Sequence, residues 1–177
     1  VNVTNDWSFD KTDEPVVVKL DEVKRLKFDV QSAIVRVEGK ELPCQLDDLD
    51  GDAKADELVF LADIGSGQTL AYEVTLSATG AQKEYTPRVY ADMMLDDKKG
   101  KHPFITSIEA PGKSYIYSDL YHHGAAFETE LTAFRVYFDH RQNIDIYGKK
   151  LRRLELADTH FYTTPEQMQK DYGNDVL

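Results

Sequence analysis

Residues that favour turns interrupt this chain at short intervals, and that spacing limits what the chain can fold into. The sequence contains 10 Gly and 6 Pro, and the runs between them are short and rich in Val, Ile, Tyr, Phe and Thr. Such runs are typical of β-strands separated by turns. The candidate strands are residues 16–20, 33–38, 57–62, 69–77, 88–93, 104–109, 114–118, 130–138 and 144–147. The pattern predicts an all-β fold in which the strands form an antiparallel β-sandwich.

Side chains in the candidate strand 69–77 alternate in character. Leu70, Tyr72, Val74 and Leu76 fall on one face, and polar or small residues fall on the other. A period of two with one apolar face indicates a half-buried strand.

The sequence carries the signals of one short helix near its C-terminal end. Thr164 can cap the helix, Pro165 can occupy its first position, and Gln167 follows three residues after the cap. This is a capping box, with proline where its missing N–H costs least. Gly173 is predicted to end the helix.

Length and composition narrow the class of protein. The chain has 177 residues, 41% of them hydrophobic, which is enough for one domain spanning residues 1–177 with a real core. The net charge of −11 disfavours sequence-independent binding to nucleic acid, which needs a basic surface. No run is apolar enough to span a membrane. The single cysteine, Cys44, is predicted to be a buried thiol. The sequence does not determine the oligomeric state.

An acidic segment at residues 47–57 carries six carboxylates and predicts a calcium site. Calcium loops surround the ion with side chains at relative positions 1, 3, 5 and 9 and a backbone carbonyl at position 7. The residues at these positions are Asp48, Asp50, Asp52, Asp56 and, for the carbonyl, Lys54. Val59 replaces the bidentate glutamate of an EF-hand, which excludes that motif. Ala53 stands where a positive φ would cost a non-glycine residue about 1 kcal/mol. We expect a structural Ca²⁺, and the alternative is a solvated acidic turn.

Two adjacent histidines make the best candidates for reactivity. His122 and His123 precede Glu128 and Glu130, and histidine titrates near neutral pH, as a general acid or base should. Elimination from a uronic acid needs such a base and a cation for the carboxylate, a role that suits Arg135. Hydrolysis needs two carboxylates that flank the bond, and Glu128 and Glu130 share a face if the backbone is extended. The candidate catalytic residues are therefore His122, His123, Glu128 and Arg135.

Two further interpretations bear on the histidine pair. An extended backbone directs His122 and His123 to opposite sides, so one of them is expected to serve a given site. Zinc is disfavoured because adjacent residues rarely converge on one ion and because His102 and His160 are isolated in the sequence. The alternative to a catalytic role is that the pair only shapes a loop leading into the next hairpin.

The hairpin at residues 130–147 presents a polar face. Pairing Phe138 with Ile144 keeps the apolar residues of both strands together, and this predicts the register. The opposite face then carries Arg135, Tyr137, Asp145 and Tyr147. Tyrosine rings and an Arg–Asp pair there predict a sugar-binding floor, with Tyr137, Asp145 and Tyr147 contacting the substrate. The alternative is a solvent-facing surface with a diagonal Arg–Asp pair.

Three segments together resemble the family of domains of unknown function numbered 4861. They are residues 42–52 with 56–60, residues 121–128 with their His-His-Gly motif, and residues 135–139 with 144–149, which contain Ile-Asp-Ile-Tyr-Gly. The resemblance implies an exported protein of a polysaccharide-utilisation system, in the periplasm or at the cell surface. It also implies a β-sandwich of the mutarotase-like supersandwich type. Members of this family continue past the equivalent of Leu177, so the chain is expected to be an N-terminal portion.

The motifs and the resemblance favour an exported carbohydrate-processing protein, acting as a lyase or hydrolase on an acidic polysaccharide. The first alternative is a carbohydrate-binding or structural β-sandwich module without catalysis, stabilised by a calcium loop. The second is a structural portion of a longer protein with no function of its own.

Overall fold

The computed structural model describes residues 1–175 and divides the chain into two compact units. The first is Val1–Thr86 and the second begins at Pro87. All named strands pair in antiparallel fashion, which confirms the predicted all-β antiparallel class. The single domain and the supersandwich type stay predictions. No helix within residues 1–175 is long and apolar enough to cross a membrane.

The first unit contains two sheets. Its strands are β1 (Asn2–Thr4), β2 (Lys11–Lys19), β3 (Ser32–Val37), β4 (Lys40–Leu42), β5 (Cys44–Asp47), β6 (Glu57–Ile64) and β7 (Thr69–Ser77). One sheet has the order β1-β7-β3-β4 and the other the order β2-β6-β5. Val35 and Tyr72 from one sheet share a core with Leu58 and Phe60 from the other, as in a sandwich.

Two predictions for the first unit are confirmed. The apolar residues of β7 alternate with exposed ones, and Tyr72 is fully buried. Cys44 is a buried free thiol in the same core.

Within residues 87–175, the second unit contains one five-stranded sheet, two short α-helices and one 3-10 helix. Its elements are β8 (Val89–Leu95), a 3-10 helix (Ile116–Asp119), β9 (Leu120–Thr129), β10 (Thr132–Tyr137), β11 (Ile144–Gly148), α1 (Leu156–Thr159), α2 (Pro165–Gln169) and β12 (Asn174–Asp175). The strand order is β12-β11-β10-β9-β8.

The apolar face of this sheet is the more exposed one, and the polar face is the more buried one, contrary to the usual arrangement. Phe127, Ile144 and Ile146 on the apolar face are exposed, whereas Arg135 on the polar face is only 5% exposed. The chain that follows β11, residues 149–173, covers the polar face, and we call it the covering segment. The expectation that the polar face is a solvent surface is therefore wrong.

Two candidate strands do not form. Within residues 104–109 only Phe104 makes an isolated bridge, to Met94, and residues 116–119 form the 3-10 helix. The histidine pair, by contrast, lies inside strand β9 and not in a loop.

The predicted hairpin register is wrong by two residues. Val136, not Phe138, lies opposite Ile144, and Arg135 lies directly opposite Asp145. A shift of two keeps every side chain on its own face, which is why the predicted polar face survives the error.

The C-terminal helix begins as predicted and ends differently. Thr164 and Gln167 form the capping box, with Pro165 in the first turn. The helix ends at Gln169 and not at Gly173. Gly173 serves another purpose, since a Cβ there would lie 1.9 Å from the carbonyl oxygen of Gly148. The sequence signals missed the other helix, α1.

Candidate functional site

The candidate site residues of the second unit line the polar face of the sheet. One row runs across four strands, from Asp92 on β8 through Ala126 and Arg135 to Asp145 on β11. The next row along the strands contains Glu128 and Tyr147, and the row on the other side contains Gly124 and Tyr137. The register thus brings together residues that are far apart in sequence.

Strand β9 is irregular where it carries the histidines. Its pairing with β8 shifts between Asp92 and Met94, and His122 and His123 have φ values of 60° and 66°. A left-handed backbone costs a non-glycine residue about 1–2 kcal/mol, and such strain concentrates at functional sites. Gly124 follows because a Cβ there would lie 1.8 Å from the carbonyl oxygen of Val136.

The His123 ring stacks on one tyrosine ring and lies near a second. Its ring lies 4.0 Å from that of Tyr117, at an interplanar angle of 5°, and 6.2 Å from that of Tyr137. Its Nδ1 lies 3.1 Å from the backbone carbonyl oxygen of Tyr117. A carbonyl only accepts, so Nδ1 carries the proton and Nε2 is the basic nitrogen.

His122 occupies a different environment from its neighbour. Its side chain is fully buried, with Nε2 3.7 Å from Oδ1 of Asp92 and its ring 5.9 Å from that of His160. Burial, together with the charges of His160 and Arg135, lowers the pKa of His122 to about 3. Burial also raises the pKa of Asp92 above its usual value. His122 is therefore a neutral imidazole at physiological pH.

Arg135, Tyr137 and Asp145 form one hydrogen-bonded group. The Arg135 guanidinium donates to Oδ2 of Asp145, and the Tyr137 hydroxyl donates to the same oxygen at 2.6 Å. Burial alone would raise the pKa of Asp145, but the hydrogen bonds from Tyr137 and Arg135 outweigh it and lower that pKa. Burial and the bond to Asp145 raise the pKa of Tyr137, so its hydroxyl keeps its proton.

The Glu128 side chain makes its hydrogen bonds and its ion pair with the covering segment. Its carboxylate accepts hydrogen bonds from the backbone N–H groups of Glu155 and Leu156 at 2.8–3.0 Å. It also pairs with the ammonium of Lys149, and both side chains are almost completely buried. These contacts fix the beginning of α1 against the sheet.

Tyr147 is also enclosed by the covering segment. It is 2% exposed, and its hydroxyl bonds to Thr163 and to the carbonyl oxygen of Gly173. Its ring meets that of Phe161 edge to face at 5.5 Å. The ring therefore leaves no free surface for a glycan to contact.

The acidic loop of the first unit folds around its own carboxylates. Asp48 accepts from the N–H groups of Gly51 and Ala53, and Asp56 accepts from that of Leu49. One carboxylate oxygen from each of Asp48, Asp50 and Asp56 lies within 4.8 Å of the other two, and Asp52 is not part of this group. The predicted roles of Asp52 and of the Lys54 carbonyl stay predictions. Ala53 has the expected positive φ, at 69°. The bound Ca²⁺ stays a prediction.

A second group of potential metal ligands was missed by the sequence analysis. Asp92, His122 and His160 each offer a ligand atom, and these atoms lie within 4.8 Å of one another. His160 is thus not isolated in the fold. Asp92 could have been noticed from the sequence, because it is the one acidic residue in the candidate strand 88–93. No periodic pattern marks His160, because it follows α1 in a left-handed turn with φ 46°.

The fold and the site define an all-β protein in which a helical segment covers a polar sheet face with a strained histidine pair. The chain belongs to the family described as a domain of unknown function (DUF4861), whose model matches residues 3–177. No curated protein and no solved structure matches the chain.

Proposed function

We propose that this protein cleaves an acidic polysaccharide by β-elimination, with His123 as the base. The observation that carries the proposal is the orientation of the His123 ring. The Tyr117 carbonyl fixes the proton on Nδ1, and stacking on the Tyr117 ring at 4.0 Å orients the imidazole. This leaves Nε2 as an oriented base, and His123 is half-buried and not enclosed.

The proposed step is balanced with this residue alone. Nε2 of His123 takes the proton at C5 of the uronic acid, and the electron pair forms a double bond between C4 and C5. The bond from C4 to the glycosidic oxygen breaks. The imidazolium then returns its proton to that oxygen, so the enzyme ends as it began.

The surroundings of His123 suit an acidic sugar. The Arg135 guanidinium lies 4.7 Å from the centre of the Tyr137 ring, and that ring lies 6.2 Å from the ring of His123, so a positive charge lies one ring away from the base. Tyr115 stacks on Tyr117 at 5.5 Å and is 57% exposed, so its outer face can lie against a sugar ring. A positive group lowers the free energy of the enolate-like charge that develops at the carboxylate.

Hydrolysis by paired carboxylates has less support. Glu128 is held by backbone donors and Lys149, and Glu130 pairs with Arg88 and Arg152. A hydrolase needs one free carboxylic acid and one free carboxylate on either side of the bond. Neither glutamate is available in that form.

A second candidate is a carbohydrate-binding module without catalysis. The observation in its favour is that Arg135 is 5% exposed and paired with Asp145, so it has little surface to offer a sugar carboxylate. On this hypothesis the exposed tyrosine ring binds glycan and no bond is broken.

One assay separates these candidates. The protein is incubated with polygalacturonate, alginate and a glucuronate-containing polymer, with dextran as the neutral control. β-Elimination gives new ultraviolet absorbance from the unsaturated product, and hydrolysis gives reducing ends without it. Glycan retention with neither signal supports the binding module. The absence of all three signals contradicts the carbohydrate proposal.

The matched variants are His123→Ala and His140→Ala. His140 lies in the exposed turn of the next hairpin. We expect His123→Ala to remove turnover and His140→Ala to keep it. Full turnover in His123→Ala would remove this residue from the mechanism.

The proposal also implies a location. Polysaccharides are too large to enter the cytoplasm intact, so we propose that the protein works in the periplasm or at the cell surface. Cell fractionation of the native host with an antibody tests this, and recovery only in the cytoplasmic fraction would contradict it.

A further inference from the structure

Three side chains from distant parts of the second unit converge beneath the covering segment. Asp92 comes from β8, His122 from the irregular part of β9, and His160 from the turn after α1. One ligand atom from each lies within 4.8 Å of the other two. We call these three residues the histidine cluster.

Four buried polar atoms of this cluster lack a hydrogen-bond partner within the described residues. Neither ring nitrogen of His122 has a hydrogen bond, nor do Oδ1 of Asp92 and Nδ1 of His160. Asp92 is 7% exposed and His122 is 1% exposed. Leaving one such group unsatisfied costs about 1–3 kcal/mol, so native proteins rarely gather several. A cation that coordinates them would offset this cost.

The spacing suits shared coordination better than a hydrogen bond. Nε2 of His122 lies 3.7 Å from Oδ1 of Asp92. Hydrogen bonds between nitrogen and oxygen are about 2.7–3.2 Å long. In a tetrahedral zinc site with bonds of about 2.0–2.1 Å, neighbouring ligand atoms lie about 3.4 Å apart. The observed separation is close to the second arrangement.

Neighbouring groups orient the cluster. The Tyr90 hydroxyl donates to Oδ2 of Asp92 at 3.2 Å, which leaves Oδ1 directed at His122. Such outer hydrogen bonds hold the ligands of metal sites in place. The rings of Tyr121, Phe161 and Tyr162 surround the His122 imidazole at 4.4–6.0 Å. They form an apolar wall that limits access of water.

The backbone is strained at both histidines of the cluster. His122 has φ 60° and His160 has φ 46°, both in the left-handed region. Each residue costs about 1–2 kcal/mol in that conformation. A strand and a turn from separate parts of the chain thus adopt unfavourable backbone geometry at the points where they bring imidazoles near the same carboxylate.

We propose that Asp92, His122 and His160 bind one divalent transition-metal ion, with zinc as the first candidate. Two imidazoles and one carboxylate suit zinc and the neighbouring divalent metals, whereas Ca²⁺ and Mg²⁺ prefer oxygen ligands alone. Three protein ligands leave one position open for water or substrate, as in catalytic sites and not in structural ones. This metal site goes beyond the proposed lyase activity and rests on different residues from the proposed His123 base.

The test is direct zinc binding to the full chain after metal is removed with a chelator. Competition against a zinc-binding dye gives the affinity, and elemental analysis of the desalted protein gives the stoichiometry. We expect the wild type to bind one zinc ion per chain and the cluster variants to lose it. No zinc retained by the folded wild-type protein would overturn the proposal.

The variants are chosen to keep the backbone. His160→Asn and His122→Asn tolerate the left-handed conformation and remove the imidazole. We expect each to lose zinc affinity by at least about 100-fold, because loss of even an outer-shell partner typically costs 10–100-fold. Tyr90→Phe removes such a partner and is expected to lose affinity by about 10-fold.

Two controls make the result decisive. His140→Asn removes an exposed histidine and should leave zinc affinity unchanged. Circular dichroism confirms that each variant is folded before it is titrated. Equal zinc affinity in His160→Asn, His122→Asn and the wild type would place the zinc elsewhere, for example at the acidic loop, and would overturn the proposal. The zinc readout does not depend on turnover, so it succeeds or fails separately from the lyase assay.

Discussion

The acidic loop and the histidine cluster both gather groups that bind cations, yet their hydrogen bonds differ. In the loop, Asp48 accepts from two backbone N–H groups of its own turn. In the cluster, neither nitrogen of His122 has a partner. In the loop, Asp48 and Asp50 are exposed and Asp56 is half-buried, and hydrogen bonds to Asp48 and Asp56 already shape the turn. In the cluster, Asp92 and His122 are buried, and the His122 imidazole makes no hydrogen bond that shapes its own turn of backbone. Whether the polar atoms already have hydrogen bonds within the protein distinguishes these two sites more clearly than the number of charges does.

The largest expected effect concerns Glu128, a buried carboxylate that has all its partners. Glu128→Gln leaves Lys149 buried without its counter-charge and weakens the bonds to Glu155 and Leu156. We expect the free energy of unfolding to fall by about 3–5 kcal/mol. Urea denaturation measures it, with Glu130→Gln as the control on an exposed ion pair. An unchanged urea midpoint for Glu128→Gln would contradict this prediction. It would show that burial and hydrogen bonding of the Glu128 carboxylate do not determine how much it contributes to the free energy of unfolding.

The next effect concerns pH and Asp145. Its pKa is lowered in the folded protein, so its contribution is present above the ordinary carboxyl pKa and is lost as pH falls through the folded value. We expect Asp145→Asn to cost about 2 kcal/mol at neutral pH, where it removes a charge-assisted bond to Arg135. The variant should also lose less stability than the wild type when the pH drops below about 4.

Thermal unfolding across a pH series makes this measurement. Asp119→Asn is the control, since Asp119 is exposed. Parallel pH profiles for the wild type and Asp145→Asn would contradict the prediction.

A smaller effect is expected from calcium at the acidic loop. If Asp48, Asp50 and Asp56 bind the ion, Ca²⁺ at ten times its dissociation constant stabilises the protein by about 1.4 kcal/mol. EDTA should lower the melting temperature, and added Ca²⁺ should restore it. Asp50→Asn should abolish the difference. A melting temperature that EDTA leaves unchanged would favour a solvated turn, and would extend the contrast with the histidine cluster.

The smallest effect tests strain in the same loop. Ala53 has φ 69°, so Ala53→Gly should stabilise the protein by about 1 kcal/mol. Ala55 has no positive φ, and Ala55→Gly should destabilise it because glycine loses more backbone entropy. Chemical denaturation compares the two variants. Stabilisation by both, or by neither, would contradict the assigned strain.

The sequence predicted those parts of the structure that depend on local pattern. Alternation in β7, the capping box at Thr164 and the polar face of the hairpin all follow from the spacing of a few residues. The register of that hairpin was wrong, because a shift of two residues satisfies the same alternation. Nothing in the pattern separates the two registers.

The remaining features depend on contacts between distant residues. The covering segment buries the polar face of β10 because Glu128 holds the beginning of α1, and no local signal reports that bond. The histidine cluster needs the shifted pairing of β9 and the turn at His160 together. Left-handed backbone at His122 and His160 breaks the periodicities from which sequence predictions are made, so the histidine cluster was the least predictable part of the unit.

The origin of the cluster in three separate elements has a consequence for folding order. Asp92 lies on the first strand of the second unit, and His160 follows α1, so most of that unit separates them. Contacts between residues so far apart in the chain require closure of a long loop and form late, whereas the turn at Asp48 can close within a few residues. We therefore expect the cluster to assemble late in the folding of this unit. The absorbance of a Co²⁺ ion bound there would report when the three side chains come together during refolding.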